Sequence, residues 1–225
     1  MSQDASGRTA IVLGATGLVG SALTDQLVED TRFDKVVLLL RRPPDRKHPK
    51  LEVHEVDFDR PEAWKHLVVG DVLFSALGTT LKQAGSKEAQ YRVDYTYQFS
   101  AAEAASRNGV PSYVLVSSAG ASERSFIFYS RMKGSLEHAV RSLPFRKISI
   151  IQPGLLTGPR QVPRGGEAIA LRLLNVLHHL PGLSGQKPIE GARVAKAMIQ
   201  AYFRQTEAVQ VFSLGQVFEL AEGRL

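Results

Sequence analysis

The chain has 225 residues, no cysteine, 44% hydrophobic residues and a formal net charge of +6. A length of this order buries about 70% of the unfolded surface in one α/β domain, so disulfides and metals are not needed to hold it, and thiolate chemistry is excluded. The polar start, Met-Ser-Gln-Asp-Ala-Ser-Gly, has no apolar signal core. No run of about 18 apolar residues follows, which predicts a soluble cytoplasmic protein without a membrane partner.

In chain order, Thr9 to Leu13 reads as a strand that runs into Gly14-Ala-Thr-Gly-Leu-Val-Gly20. Gly14 suits a tight turn, Gly17 a close approach of backbone to a bound group, and Gly20 tight packing of the next helix on the strand. The helix, about Leu18 to Thr31, carries Leu18, Leu23, Leu27 and Val28 at helical spacing, and Lys35 to Leu40 resumes a strand. This is a βαβ unit whose helix start favours an anion, with pyrophosphate the natural guest. The second strand leads into Arg41 and Arg42, where an NAD-preferring site has Asp or Glu. The arginines favour NADP, or else belong to a solvated basic loop with Arg46, Lys47 and Lys50. No aromatic residues are interleaved with these charges, so nucleic acid is not expected as a partner.

Leu51 to Val56 reads as the third strand, closing with Asp57 and Phe58. Asp57 either accepts from an adenine amino group or caps a helix begun by Pro61. Asp71 to Ala76 is the fourth strand, and Leu77-Gly78-Thr79-Thr80 would let the middle of a dinucleotide lie against backbone. A long helix from Lys87 to Asn108, with Val93, Tyr97, Ala101, Ala104 and Ala105 on one side, is stopped by Gly109 and Pro111. Ser112 to Val116 then delivers Ser117 and Ser118 to the same sheet edge. Phe128 to Ser142 is the next helix, Arg146 to Ile151 the sixth strand and Gln152-Pro153-Gly154 its exit. Beyond Arg160 to Gly166, the apolar helix Ala168 to Leu180 is either a wall of a substrate pocket or an ordinary core helix. A strand near Lys187 to Ile189, a helix from Ala192 to Phe203 and a strand from Val209 to Phe212 complete one domain over residues 1–225. Its last part, 158–225, is expected to supply the substrate side.

Tyr129 and Lys133 stand four residues apart and so project from one helix face. A nearby cation favours phenolate, so this spacing predicts a tyrosine pKa lowered toward neutrality and proton exchange with an alcohol or carbonyl. Ser118 would donate to the same oxygen; Ser117 and Ser118 alternate, and Ser118 is the better candidate. The six histidines show no metal-ligand spacing, so no metal is expected.

The glycine loop, the paired serines and Tyr-x-x-x-Lys, in this order, resemble the short-chain dehydrogenase/reductase superfamily over about Thr9 to Thr157. Leu13 to Gly20, Leu39 to Pro43, Val56 to Phe58, Ala76 to Thr80, Ser117 to Ala121, Tyr129 to Gly134 and Gln152 to Leu156 look like its atypical branch of Tat-interacting oxidoreductases. The resemblance implies a doubly wound, mostly parallel Rossmann sheet with helices on both faces, NADP (NADPH) as cofactor, and Ser118, Tyr129 and Lys133 as the catalytic set. Arg41 and Arg42 would clasp the 2′-phosphate. Further cofactor contacts would be Gly14, Thr16, Gly17, Leu18, Val19, Gly20, Asp57, Phe58, Ala76, Leu77, Gly78, Lys133, Pro153, Leu156 and Arg164. The long helix reads Arg92-Val-Asp-Tyr95 where many members of the superfamily have an Asn of a proton relay. Either Asp94 substitutes for it or that relay is absent.

Together these residues predict an NADPH-dependent oxidoreductase that reduces a carbonyl-type or quinone-type molecule with Tyr129 as proton donor. The alternative is a redox-sensing NADP-binding protein of the same fold that turns over little. The apolar content of Ser122 to Phe128 and Gln161 to Leu183 suggests a hydrophobic or aromatic small-molecule substrate. A homodimer is a further expectation from the superfamily.

Overall fold

The computed structural model describes residues 7–43, 47–158 and 188–225. Ala10, Ile11, Val12 and Leu13 are all fully buried, as a central parallel strand covered on both faces requires. They form most of β1 (Arg8–Leu13), which passes through the glycine turn into α1 (Leu18–Glu29) and returns as β2 (Phe33–Leu40). β3 (Leu51–Glu55) and β4 (Val72–Ser75) follow, then α2 (Leu81–Ala84), α3 (Lys87–Tyr91), α4 (Tyr97–Arg107), β5 (Ser112–Val116), α5 (Phe128–Arg141) and β6 (Lys147–Gln152). The short strands β7 (Leu156–Thr157) and β8 (Ile189–Glu190) pair with each other. The chain ends in α6 (Gly191–Arg204), β9 (Val209–Ser213) and α7 (Gly215–Ala221).

The large sheet has seven strands in the order β3-β2-β1-β4-β5-β6-β9, and every neighbouring pair in it is parallel. This is the doubly wound α/β architecture expected from the sequence. Strand alternation divides the core into two layers. Ala10 and Val12 face a cluster with Leu23 and Leu27 of α1, Val194 and Met198 of α6 and Leu220 of α7. Ile11 and Leu13 face the other layer, with Ala101 and Ala105 of α4 and Leu136 and Val140 of α5. Strand order reverses between β1 and β4, and a doubly wound sheet opens its ligand crevice at that switch, beyond the carboxyl ends of the strands.

Several predicted elements differ in form. The helix expected over Lys87 to Asn108 is interrupted by a π-helical turn at Arg92–Thr96, where the Tyr97 N–H reaches back to the Arg92 carbonyl. Pro61 begins only two short 3-10 turns, Pro61–Ala63 and Lys65–Leu67. The Trp64 indole between them donates to the Asp57 carbonyl at 2.9 Å and is buried, which pins the chain before a longer helix can form. The strand expected at Lys187 to Ile189 is the two-residue β8, and α2, β7 and α7 were too short to register as periodic patterns. The predicted helix Ala168 to Leu180 lies outside the described residues.

Candidate active site

The floor of the crevice is the glycine turn. Gly14 adopts φ of 79°, and a Cβ there would stand 2.6 Å from the Ala76 backbone, so the exits of β1 and β4 touch. A Cβ on Gly20 would stand 2.1 Å from the Gly14 carbonyl oxygen, so α1 packs directly on the turn. The Gly17 N–H donates to the Gly14 carbonyl at 2.9 Å, which tightens the loop. Thr16 and Gly17 are exposed, whereas Val19 is core and Leu18 packs against Gly191. The loop residues therefore divide between those that present backbone and those that shape it from below. α1 has neither a side-chain cap nor an acid in its first turn. Its leading N–H groups and the positive end of its dipole are thus directed at the crevice, the arrangement that suits a pyrophosphate.

Leu13 is in register with Leu39, so Arg41 and Arg42 leave β2 at the same sheet edge as the glycine turn, and both are exposed. Of the two roles open to Asp57, capping the Pro61 helix does not occur: its carboxylate accepts from the Asp59 N–H at 3.0 Å and faces Arg60 at 3.6 Å. Phe58 is buried, stacked on Tyr97 at 5.4 Å and edge-on to Trp64 at 5.4 Å. Its ring belongs to the core.

At the β4 exit, the Ala76 N–H continues the ladder to the Leu13 carbonyl at 3.0 Å. Leu77 is half-buried and Gly78 is exposed. A Cβ on Gly78 would stand 3.1 Å from Asp94 Oδ1, and the Thr79 N–H donates to Asp94 Oδ2 at 2.8 Å. Asp94 is 2% exposed and sits in the π-helical turn, with its own carbonyl accepting from Gln98 Nε2 at 2.7 Å. Burial pushes its carboxyl pKa up to about 6, against the Lys133 charge and the Thr79 N–H, which favour the anion. π turns are frequent at functional sites. Here the turn carries a buried acid in the position left open between relay and no relay.

Tyr129 and Lys133 lie on α5, and Lys133 is 2% exposed with its Nζ donating to the Val116 carbonyl at 3.0 Å. Burial lowers the ammonium pKa, opposed by the charges of Asp94 and Glu137. The expected lowering of the Tyr129 pKa is not found. Desolvation first, and the Asp94 charge second, hold the phenol well above its ordinary value, even though the residue as a whole is 38% exposed. The lysine donates to a backbone carbonyl, and the charge that acts on the phenol is the negative one of Asp94. Tyr129 is therefore a phenol at neutral pH, able to donate a proton and poorly suited to accept one.

The two serines separate as alternation requires. Ser117 is buried with its Oγ donating to Glu137, and Ser118 is half-buried, its Oγ making a long 3.2 Å bond to the Ala119 carbonyl. Gly134, next to Lys133, is where the loop before α5 crosses the helix, since a Cβ would stand 2.3 Å from the Ser122 carbonyl carbon. Pro153 is buried at the β6 exit, its carbonyl accepting the Ala119 N–H at 3.0 Å. Leu156 pairs with Ile189 and packs on the α1 layer. Arg164 lies outside the described residues. Glu137 and the buried charge cluster around Lys133 were missed from sequence. The only available signal was an acid four residues beyond Lys133, which reads equally well as a surface ion pair.

A sequence model of the NAD(P)H-binding family matches residues 14–203. The chain belongs to the NAD(P)H-binding family. Among relatives of this NAD(P)H-binding protein, the mitochondrial protein FMP52 of Debaryomyces hansenii is 37% identical over 194 residues, 85% of this chain and 86% of that one. FMP52 of Kluyveromyces lactis is 34% identical over 221 residues, covering 95% and 98% of the two chains. In fold, the chain is similar to the epimerase Mth375 of Methanothermobacter thermautotrophicus, with TM-score 0.70, 19% identity and coverage of 96% and 75%. It is also similar to MoeE5 in complex with UDP-glucose and NAD, with TM-score 0.69, 18% identity and coverage of 93% and 76%. The expectation of a cytoplasmic protein is corrected by the FMP52 relatives, which are named as mitochondrial. Absence of cysteine excludes disulfides within the chain, but does not distinguish one reducing compartment from another.

Proposed function

We propose that this NAD(P)H-binding protein is an NADPH-dependent reductase of a carbonyl-type or quinone-type small molecule, with Tyr129 as proton donor. The observation that carries the reading is the Lys133 cluster: a buried ammonium on the Val116 carbonyl, flanked by Asp94 and Glu137, one helical turn from a phenol that stays protonated. The resemblance to the Tat-interacting oxidoreductases supports the same assignment. A bound reduced dinucleotide supplies a hydride. Thr16, Gly17 and the start of α1 would hold its pyrophosphate, Arg41 and Arg42 its 2′-phosphate, and Gly78 its middle. Ser118 would orient the acceptor oxygen, and the Tyr129 hydroxyl would deliver the proton to it. A phenol held protonated by desolvation, with the Asp94 charge acting in the same direction, is available as the acid that reduction needs. Exposed apolar residues before and at the start of α5, Phe126 and Ile127, support a hydrophobic acceptor.

Calorimetric titration with NADPH and NADH tests this reading. NADPH should bind at least about tenfold more tightly than NADH, and the paired change Arg41→Ala/Arg42→Ala should remove about 10- to 100-fold of that affinity, as expected for lost charge-assisted hydrogen bonds. Tyr129→Phe should bind NADPH as the parent does and lose reduction of quinones and aldehydes. Equal affinity for the two nucleotides would overturn the NADP preference. Tight NADPH binding with no turnover across such acceptors would favour a redox sensor.

A further inference from the structure

The candidate catalytic residues come from the end of β5 and from α5, and the end of β6 beside them carries the cofactor-contact candidate Pro153. One side chain of α5 bonds to both strand exits. Glu137 lies one turn beyond Lys133 on α5 and is 6% exposed. Its Oε1 accepts from Ser117 Oγ at the β5 exit and from Gln152 Nε2 at the end of β6, the latter at 2.8 Å. Its Oε2 accepts from the same Gln152 nitrogen at 3.0 Å and lies 3.9 Å from the Arg141 guanidinium. Among the described residues the polar groups that meet it are the Ser117 hydroxyl, the Gln152 amide and the Arg141 guanidinium, and the Lys133 ammonium feels its charge. A carboxylate accepts from all of these in one arrangement. An amide of the same shape would remove the charge, and could keep the bonds only after the Ser117 hydroxyl turns or the Gln152 amide flips.

We propose that Glu137 is a positioning residue, whose carboxylate ties the β5 and β6 exits to α5 and so fixes Ser118 relative to Tyr129 and Lys133. The proposal rests on the reductase reading, to which it adds a residue that touches neither acceptor nor cofactor. Ser118 follows Ser117 directly and Pro153 follows Gln152, so a shift at Glu137 moves both exits together. Because the tie is made of hydrogen bonds to two strands, its loss displaces reacting groups without emptying the dinucleotide floor built by β1 and β4.

The test compares Glu137→Gln, Glu137→Ala and Ser117→Ala with the parent protein. Four quantities are measured: affinity for NADPH, kcat and KM with an ortho-quinone, and the pH titration of the Lys133 ε-carbon by NMR with ¹³C-labelled lysine. We expect Glu137→Gln to stay folded, to bind NADPH within about threefold of the parent, and to lose about 10- to 100-fold in kcat with KM little changed, the scale of a small misplacement of reacting groups. The Lys133 titration should move to lower pH, a readout that an uncharged packing role would leave alone. Ser117→Ala, which keeps the charge and removes one donor, should lower kcat less and leave the Lys133 titration near that of the parent. Unchanged kcat and an unmoved Lys133 titration in Glu137→Gln would overturn the proposal. If the parent neither binds NADPH nor turns over, the reductase reading falls, and the Lys133 titration alone then decides whether Glu137 organises this cluster. If Glu137→Gln does not fold, the kcat of Ser117→Ala decides: a loss with KM retained supports the tie, and parental kcat overturns it.

Discussion

At the scale of single residues, Asp94 is the group whose environment departs furthest from what its sequence position suggests. Its folded pKa of about 6 lies above the ordinary carboxyl value, so the folded state binds the proton more tightly than the unfolded state. The sign follows: Asp94 costs stability as pH rises from about 4 through 6, and the cost is fully present above that window. A displacement of this size corresponds to roughly 2–3 kcal/mol. Asp94→Asn should therefore be more stable than the parent by up to that amount at pH 7.5, with the difference shrinking toward pH 4, as read by urea unfolding at several pH values. A difference independent of pH would show that the Asp94 charge is not desolvated in the fold. Asp94→Asn should also let the Tyr129 phenol ionise at lower pH, since one of the two causes of its raised pKa is removed. The Ser-Tyr-Lys set was read from the order of the glycine loop, the paired serines and Tyr-x-x-x-Lys and from the resemblance this order carries, since a Tyr and a Lys four residues apart occur by chance in many helices. The protonation of Tyr129 was not legible, because its spacing to Lys133 says nothing about a carboxylate that arrives from a turn 35 residues away in sequence.

At the scale of elements, the strand-turn-helix around Gly14 was legible because each glycine answers a local backbone demand. Gly20→Ala would set a methyl against the Gly14 carbonyl, and should cost more than about 2 kcal/mol and abolish nucleotide binding, as checked by thermal unfolding and calorimetry. Gly85→Ala is the control: φ there is 86° with open space around the added carbon, so only conformational strain of about 1–2 kcal/mol is expected, with nucleotide binding intact. Comparable losses in both variants would deny the close approach of α1 to its turn. The π-helical turn in the long helix was not legible, since Val93, Tyr97, Ala101 and Ala105 keep an ordinary helical spacing through it. The 3-10 turns after Asp57 likewise depend on the Trp64 indole reaching back to a carbonyl.

At the scale of the molecule, the parallel sheet brings the exits of β1, β2, β4, β5 and β6 to one edge, so the glycine turn, the two arginines, the Gly78 turn and Ser118 gather there through strand order. Binding that crosses this edge stabilises the whole sheet. NADPH at one hundred times its dissociation constant should add about 2.7 kcal/mol and raise the melting temperature by roughly 5–10 °C, as read by thermal shift. NADH at the same concentration should raise it less. Equal shifts would contradict the proposed role of the β2 arginines.

The sequence by itself determined the alternation of strands and helices, the glycine turn, the basic end of β2 and the helix face that holds Tyr129 and Lys133. These are properties of contiguous residues, set by backbone sterics, hydrophobic period and the fixed spacing of a helical turn. Only the tertiary structure decided that Ser117 turns inward to Glu137, that Asp94 closes on the β4 exit, and that Tyr129 remains a phenol. Each of those depends on burial and on charges from separate elements, and desolvation is a property of the packed interior that no local spacing contains.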